Sequence, residues 1–154
     1  MDALTTAAAD ATLAASRALL GVVARSVTAA LDVVTLPQFR VLVVLSSAGP
    51  TRMSTLAERM GANPSTFSRS IDRMVAGGWV ERGPSPESRR EVLITLTSAG
   101  RELVDDVTER RRQGIAAILS PLTSEQQKAV RDALQLFADA AGETSASDLL
   151  TLGI

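Results

Sequence analysis

Asn63-Pro64-Ser65-Thr66-Phe67-Ser68-Arg69-Ser70-Ile71-Asp72-Arg73-Met74-Val75-Ala76-Gly77-Gly78-Trp79-Val80-Glu81-Arg82 is the stretch that decides the fold. Asn63 is a good helix N-cap, and Pro64 suits the first helical position, where its missing N–H costs nothing. Gly77-Gly78 stops the helix. Stepping about 100° per residue from Ser65 gathers Phe67, Ile71, Met74 and Val75 on one side. Ser65, Thr66, Ser68, Arg69, Asp72 and Arg73 fall on the other. The pattern predicts a helix over 64–76 that buries its first face and presents hydroxyls and guanidinium groups on its second.

Working outward, a shorter helix over about 53–60 precedes it across Gly61-Ala62, and Ala57 would let the two cross closely. After it, Trp79 to Arg82 reads as a short strand, 83–88 as a turn-rich loop, and Arg90 to Leu96 as the returning strand. Pro37 opens an earlier helix, apolar nearly all round from Phe39 to Leu45, which should be central and buried. Leu13, Leu20, Val23, Val27, Leu31 and Val34 recur at helical spacing and predict one long first helix over 13–34. Thr97 can cap a helix over about 98–119, and the capping-box pattern Thr123-Ser124-Glu125-Gln126 starts a last one reaching about Ala141. The expected fold is mainly α with a small β-hairpin: a winged helix-turn-helix inside a helical frame. Residues 143–154 give no clear signal.

The chain has 154 residues, enough to bury a core, with 16 basic against 17 acidic groups. The near-balance hides a local excess. Residues 52–90 hold seven Arg against Glu58, Asp72, Glu81 and Glu87, a net of +3, while 1–51 sum to zero and 91–154 to −4. The basic excess coincides with the helix-turn-helix and hairpin, as a phosphate-facing surface requires. Arg can donate two hydrogen bonds to guanine, and Ser and Thr can bond several base edges, so the polar face of 65–73 suits a major groove. An ordinary solvated face would carry the same residue types. The tight turn before it and Arg89-Arg90 near the hairpin tip favour the DNA reading.

The chain has no Cys, His or Tyr. That excludes disulfides, Cys/His zinc sites, thiol redox sensing and Ser-His-Asp chemistry, so no metal or cofactor is expected. A carboxylate enzyme built on Asp105 and Glu109 is a third class, but that pair sits on a charged face that reads as solubility. The basic residues are 15 Arg and a single Lys, Lys128, and Ala numbers 24, a bias that GC-rich codons would produce. No apolar run long enough to cross a membrane is expected, and Met1 to Thr12 lacks the basic region of a secretory signal. A soluble cytoplasmic protein follows as the expectation. Arg110-Arg111-Arg112 reads as a solvated run paired along its helix with Asp105, Asp106 or Glu109.

From Leu36 to Gly100 these segments, in this order and spacing, resemble the MarR family of winged-helix transcriptional regulators. The resemblance rests on Leu36-Pro37-Gln38-Phe39-Arg40-Val41-Leu42, Leu56-Ala57-Glu58-Arg59-Met60-Gly61, and Pro64 through Arg69 to Asp72-Arg73-Met74. Gly78-Trp79-Val80-Glu81-Arg82, Ser88-Arg89-Arg90 and Leu96-Thr97-Ser98-Ala99-Gly100 complete it. Flanking helices extend it over about 10–142. It implies a single domain over 1–154, with a DNA-binding lobe at 36–97 and dimerisation helices at 10–34 and 98–142.

The resemblance further implies a homodimeric, ligand-responsive repressor of a pseudo-palindromic operator. Ser65, Thr66, Ser68, Arg69 and Arg73 would face the major groove or its phosphates, and Arg89 or Arg90 would enter the minor groove. It also implies a small-molecule effector between frame and lobe, with Arg17, Arg25, Phe39 and Arg40 as candidate contacts. Most relatives carry Asp before the two wing arginines; here Ser88 stands there, and Glu87 is the available substitute. The competing class is a winged-helix module that binds another protein and no DNA.

Overall fold

The structure, a computed structural model, describes residues 2–142. The readings offered for 143–154 lie outside them. Helix α1 spans Ala3–Val27, and a 3-10 turn follows at Ala30–Asp32. Helix α2 spans Leu36–Ala48, strand β1 Thr51–Arg52, α3 Met53–Arg59 and α4 Pro64–Ala76. Strands β2 (Val80–Pro84) and β3 (Val92–Leu96) form the hairpin; α5 (Ser98–Leu119) and α6 (Ser124–Ala140) complete the order. The architecture is mostly helical with one small antiparallel sheet, as the residue pattern predicts.

The caps behave as their chemistry requires. Asn63, Thr97 and Thr123 accept from backbone N–H groups of the first turns of α4, α5 and α6, and Thr123 forms a full capping box with Gln126. Thr35 and Gln38 make a second capping box at α2. Asp2 caps α1 by accepting from the Thr5 N–H at 2.7 Å, and that hydrogen bond lowers its carboxyl below the usual range.

Three expectations need correction. The first helix begins ten residues before the expected start and ends at Val27, not Val34. No Gly or Pro breaks it; tertiary packing does. Ala30, only 1% exposed, turns into the core, and Thr35 must adopt the extended N-cap conformation of α2. Second, the sheet has three strands in the order β1-β3-β2, because Thr51 and Arg52 pair with Ile94 and Leu93. A two-residue strand is too short for periodicity to reveal. Third, α1 is long and apolar enough, by length and composition alone, to cross a membrane. Its apolarity is largely alanine spread around the helix, which a scan for a contiguous run passes over.

The core gathers on α2. Phe39, Val41, Leu42, Val44 and Leu45 pack with Leu56, Phe67, Ile71, Met74, Val80, Ile94, Val104 and Val107. Fully burying each of these larger side chains stabilises the fold by about 1.5–3 kcal/mol. Val75, expected on the inner face of α4, is 38% exposed at its edge. Ala57 lies in the core where α3 meets α4, and Gly61 at φ +58° supplies the left-handed turn between them.

Helix α5 is anchored at its first turn and packs closely on α1 further along. The Thr97 hydroxyl donates to the Gly78 carbonyl at 2.6 Å, and a Cβ on Gly100 would sit 2.3 Å from the Trp79 carbonyl oxygen. Only glycine fits there. Further along, a Cβ on Gly114 would lie 2.8 Å from Val22, which marks the close crossing of α5 and α1. By contrast, α6 has no buried residue. Val130, Leu134 and Phe137 recur at helical spacing along α6, yet none is buried in the single protomer. Leu134 and Phe137 are about half exposed, as is Ile118 on α5.

Candidate nucleic-acid interface

Helix α4 presents Ser65, Thr66, Arg69 and Arg73 to solvent while Phe67, Ile71 and Met74 hold it on the lobe. Ser65, Arg69 and Arg73 follow one another at i, i+4 intervals and therefore form one ridge. Neither Arg69 nor Arg73 pairs with an acid among the described residues. Both guanidinium groups are available to a base edge or a phosphate.

Two hydroxyls are less free than their positions on the wheel suggest. Ser65 Oγ donates to the Asn63 cap at 2.7 Å, leaving its lone pairs as acceptors. Ser68 is half-buried at the edge of the ridge and faces the wing. Its carbonyl and hydroxyl oxygens accept from Arg82 Nη2 at 3.2 and 3.3 Å. The same guanidinium pairs with Asp72 Oδ1 at 2.8 Å. Arg82 on β2 thus locks the recognition helix to the root of the wing.

The wing tip runs from Ser85 to Glu91 and carries Arg89 and Arg90, both exposed and free of acidic partners among the described residues. Ser88 stands where the resemblance leads one to expect Asp. Its hydroxyl accepts from the Arg90 N–H at 3.3 Å, a turn that an Asp side chain would also make. What Ser88 lacks is the charge. Arg90 leans over a groove shared with Arg52, Ala57, Ala62 and Pro64, between the wing and the α3–α4 turn.

Pairing leaves the local electrostatics intact. Arg52 pairs with Glu87 and Arg82 with Asp72, so Arg59, Arg69, Arg73, Arg89 and Arg90 remain against Glu58 and Glu81, still +3. Sequence reasoning missed the roles of Arg52 and Arg82. Their partners lie 35 and 10 residues away in sequence, and no helical or strand spacing links them.

A second feature sits where α1, α2 and α5 meet: a cavity of about 90 Å³ lined by Val23, Val27, Phe39, Val43, Val107 and, at its polar edge, Arg40 and Arg111. Arg40 Nε is buried there without a hydrogen-bond partner among the described residues. Of the four expected effector contacts, Phe39 and Arg40 line this cavity. Arg25 lies instead in a shallow cleft with Arg110, and Arg17 stays exposed on α1. The arginine run divides. Arg112 pairs with Glu109, as expected for a solvated face, while Arg111 turns inward and its Nε donates to Ser26 Oγ at 3.4 Å. Glu109 is therefore half of an ion pair on an exposed helix face.

The MarR family profile matches residues 34–92. The crystal structure of RV1404 from Mycobacterium tuberculosis superposes with a TM-score of 0.73 at 40% identity, covering 95% of this chain and 99% of that one. The transcriptional regulator Tm0710 from Thermotoga maritima gives 0.68 at 29% identity, covering 75% of this chain and 81% of its own. YfiV of Bacillus subtilis, an uncharacterized HTH-type transcriptional regulator, is 31% identical over 105 residues, 68% of this chain and 66% of its own. Tm0710 and YfiV carry the name of transcriptional regulators. With an exposed arginine ridge on a helix-turn-helix, a basic wing and these likenesses, the chain belongs to the MarR family and is a DNA-binding transcriptional regulator.

Proposed function

We propose that the protein is a homodimeric repressor that binds a pseudo-palindromic operator and is released by a small-molecule effector. The ridge of Ser65, Arg69 and Arg73, whose two guanidinium groups pair with no acid among the described residues, carries the DNA reading. Thr66 and Ser68 flank it, and Arg89, with Arg90, enters the adjoining minor groove, whose narrow A/T-rich form attracts arginine. Residues 36–97 form the DNA-binding lobe; 10–34 and 98–142 form the dimer frame. The protein acts in the cytoplasm, where operator DNA lies, and the apolar face of α1 serves the frame.

Footprinting on the DNA upstream of its own gene, followed by salt titration, tests this reading. Six phosphate contacts would make log K fall with log salt at a slope of about −5. Weak, salt-insensitive association would favour a protein-binding module instead. Arg89→Ala is expected to weaken binding most on A/T-rich flanks, and an equal loss on every flank would remove the minor-groove role.

The cavity beside Arg40 fits the effector. Its volume has room for several waters or a small organic anion. An anion there satisfies the unpartnered Arg40 Nε. Occupancy shifts the two recognition helices from the half-site spacing of about 34–36 Å, provided the ligand prefers the DNA-incompetent arrangement. With benzoate as the probe, Arg40→Gln is expected to abolish release while leaving operator affinity within about twofold. Undiminished release by the variant would exclude Arg40 as the anion's partner.

A further inference from the structure

We propose that Arg52 is the positioning residue that sets the pose of the wing on DNA, through a two-point clamp on Glu87 and Glu91. The inference rests on the minor-groove reading of the wing given above. Arg52 ends β1 and precedes α3, so its backbone belongs to the body of the lobe. Its guanidinium forks: Nη2 pairs with Glu87 Oε2, and Nε lies 3.0 Å from Glu91 Oε2.

The clamp brackets the two wing arginines. Glu87 stands two residues before Arg89, and Glu91 immediately follows Arg90. The tip has its own internal bonds: Ser85 N–H to the Glu91 carbonyl at 3.2 Å, Glu91 N–H to the Ser88 carbonyl at 3.2 Å, and the Ser85 and Ser88 hydroxyl turns. Those bonds shape the loop without fastening it to the lobe. Among the described residues, the polar side-chain contacts from 85–91 to the rest of the protein are the two with Arg52. Glu91 Oε2 is itself buried and takes no hydrogen bond of good geometry, so Arg52 is its sole nearby counter-charge among the described residues.

A phosphate-contacting Arg52 and a positioning Arg52 predict opposite signs. If Arg52 bound phosphate, neutralising Glu87 or Glu91 would free it and remove repulsion, tightening binding to all DNA. If Arg52 positions the wing, the same changes loosen the tip and weaken discrimination between A/T-rich and G/C-rich flanks.

The test uses the full chain and two duplexes with identical half-sites and different flanks. Arg52→Gln is expected to reduce the flank preference about fivefold, the factor expected of a small network of exposed ion pairs, and Glu91→Gln, which leaves the Glu87 pair in place, by about twofold. The double variant should lose no more than Arg52→Gln alone, since that change already removes both points of the clamp. Arg52→Lys should rescue only part, because an ammonium cannot fork between two carboxylates as a guanidinium does. Equal weakening on both duplexes by Arg52→Gln, with a salt slope smaller by about one, would make Arg52 a phosphate contact and overturn the proposal.

Arg89→Ala separates the two levels. A flank preference that survives Arg89→Ala means that the wing reading has failed. A preference lost in Arg89→Ala but kept in Arg52→Gln means that only the clamp has failed. Amide hydrogen exchange of 85–91 without DNA probes the clamp independently: it should accelerate about fivefold in Arg52→Gln, and unchanged exchange overturns the clamp whatever the DNA result.

Discussion

Phe137→Glu is expected to run as a monomer and to lose most of its operator affinity. Helix α6 buries nothing within one protomer, yet it carries Leu134, Leu136 and Phe137 at 50%, 71% and 57% exposure. Phe137 shares a shallow groove with Thr5, Ala9, Leu13 and Ser16 of α1, whose Leu13 and Leu20 are also more than half exposed. Apolar side chains so arranged along the first and last helices call for a second copy of the same surface. A buried phenylalanine contributes about 1.5–3 kcal/mol, and an unpaired carboxylate in its place adds a desolvation cost of similar or larger size. The sum, about 4 kcal/mol or more, weakens the dimer roughly a thousandfold. DNA affinity then falls by about 10²–10⁴, because the second half-site no longer binds within the same particle. Sedimentation and gel-shift titration check both parts. A variant that stays dimeric would place the interface elsewhere.

Arg69→Ala is expected to cost about 1–3 kcal/mol at one base of the operator, about fivefold to 150-fold in operator affinity, with little effect on random DNA. The side chain is exposed, pairs with no acid among the described residues, and sits mid-ridge between Ser65 and Arg73. Alanine is a better helix former than arginine, so α4 should persist. Competition binding against single-base operator variants reads the result: the preference at one position should flatten. A pattern identical to the unmodified protein would make Arg69 a bystander.

What the sequence disclosed and what it withheld follow a physical division. The recognition helix was legible because cap, proline, periodicity and terminating glycines all lie within 63–78 and agree. The caps at Thr97 and Thr123 were legible for the same reason. The break in α1 was not, since it comes from Ala30 entering a core assembled from distant residues. Ser68 stood on the polar side of the wheel, but its distance from the centre of the ridge let Arg82 capture it. Arg111 looked like its neighbours Arg110 and Arg112, and only the packing of α1 against α5 distinguishes them. For the site, the polar face of α4 and the hairpin came from helical spacing and turn residues, and the groove and dimer roles from the resemblance. The ion pairs that orient them came from neither, because they join elements whose proximity is decided by the whole fold.

The anchorage of α5 has a mechanical meaning. Its first turn is welded to the wing root at Gly78 and Trp79, and its 22 residues run into the crossing with α1. At 1.5 Å per residue the helix is a lever about 33 Å long, so a tilt of about 5° at one end displaces the other by about 3 Å. The cavity beside Arg40 abuts this lever at Val104, Val107 and Arg111. A group lodged there would bear on the middle of α5, between its anchorage at the wing root and its crossing with α1.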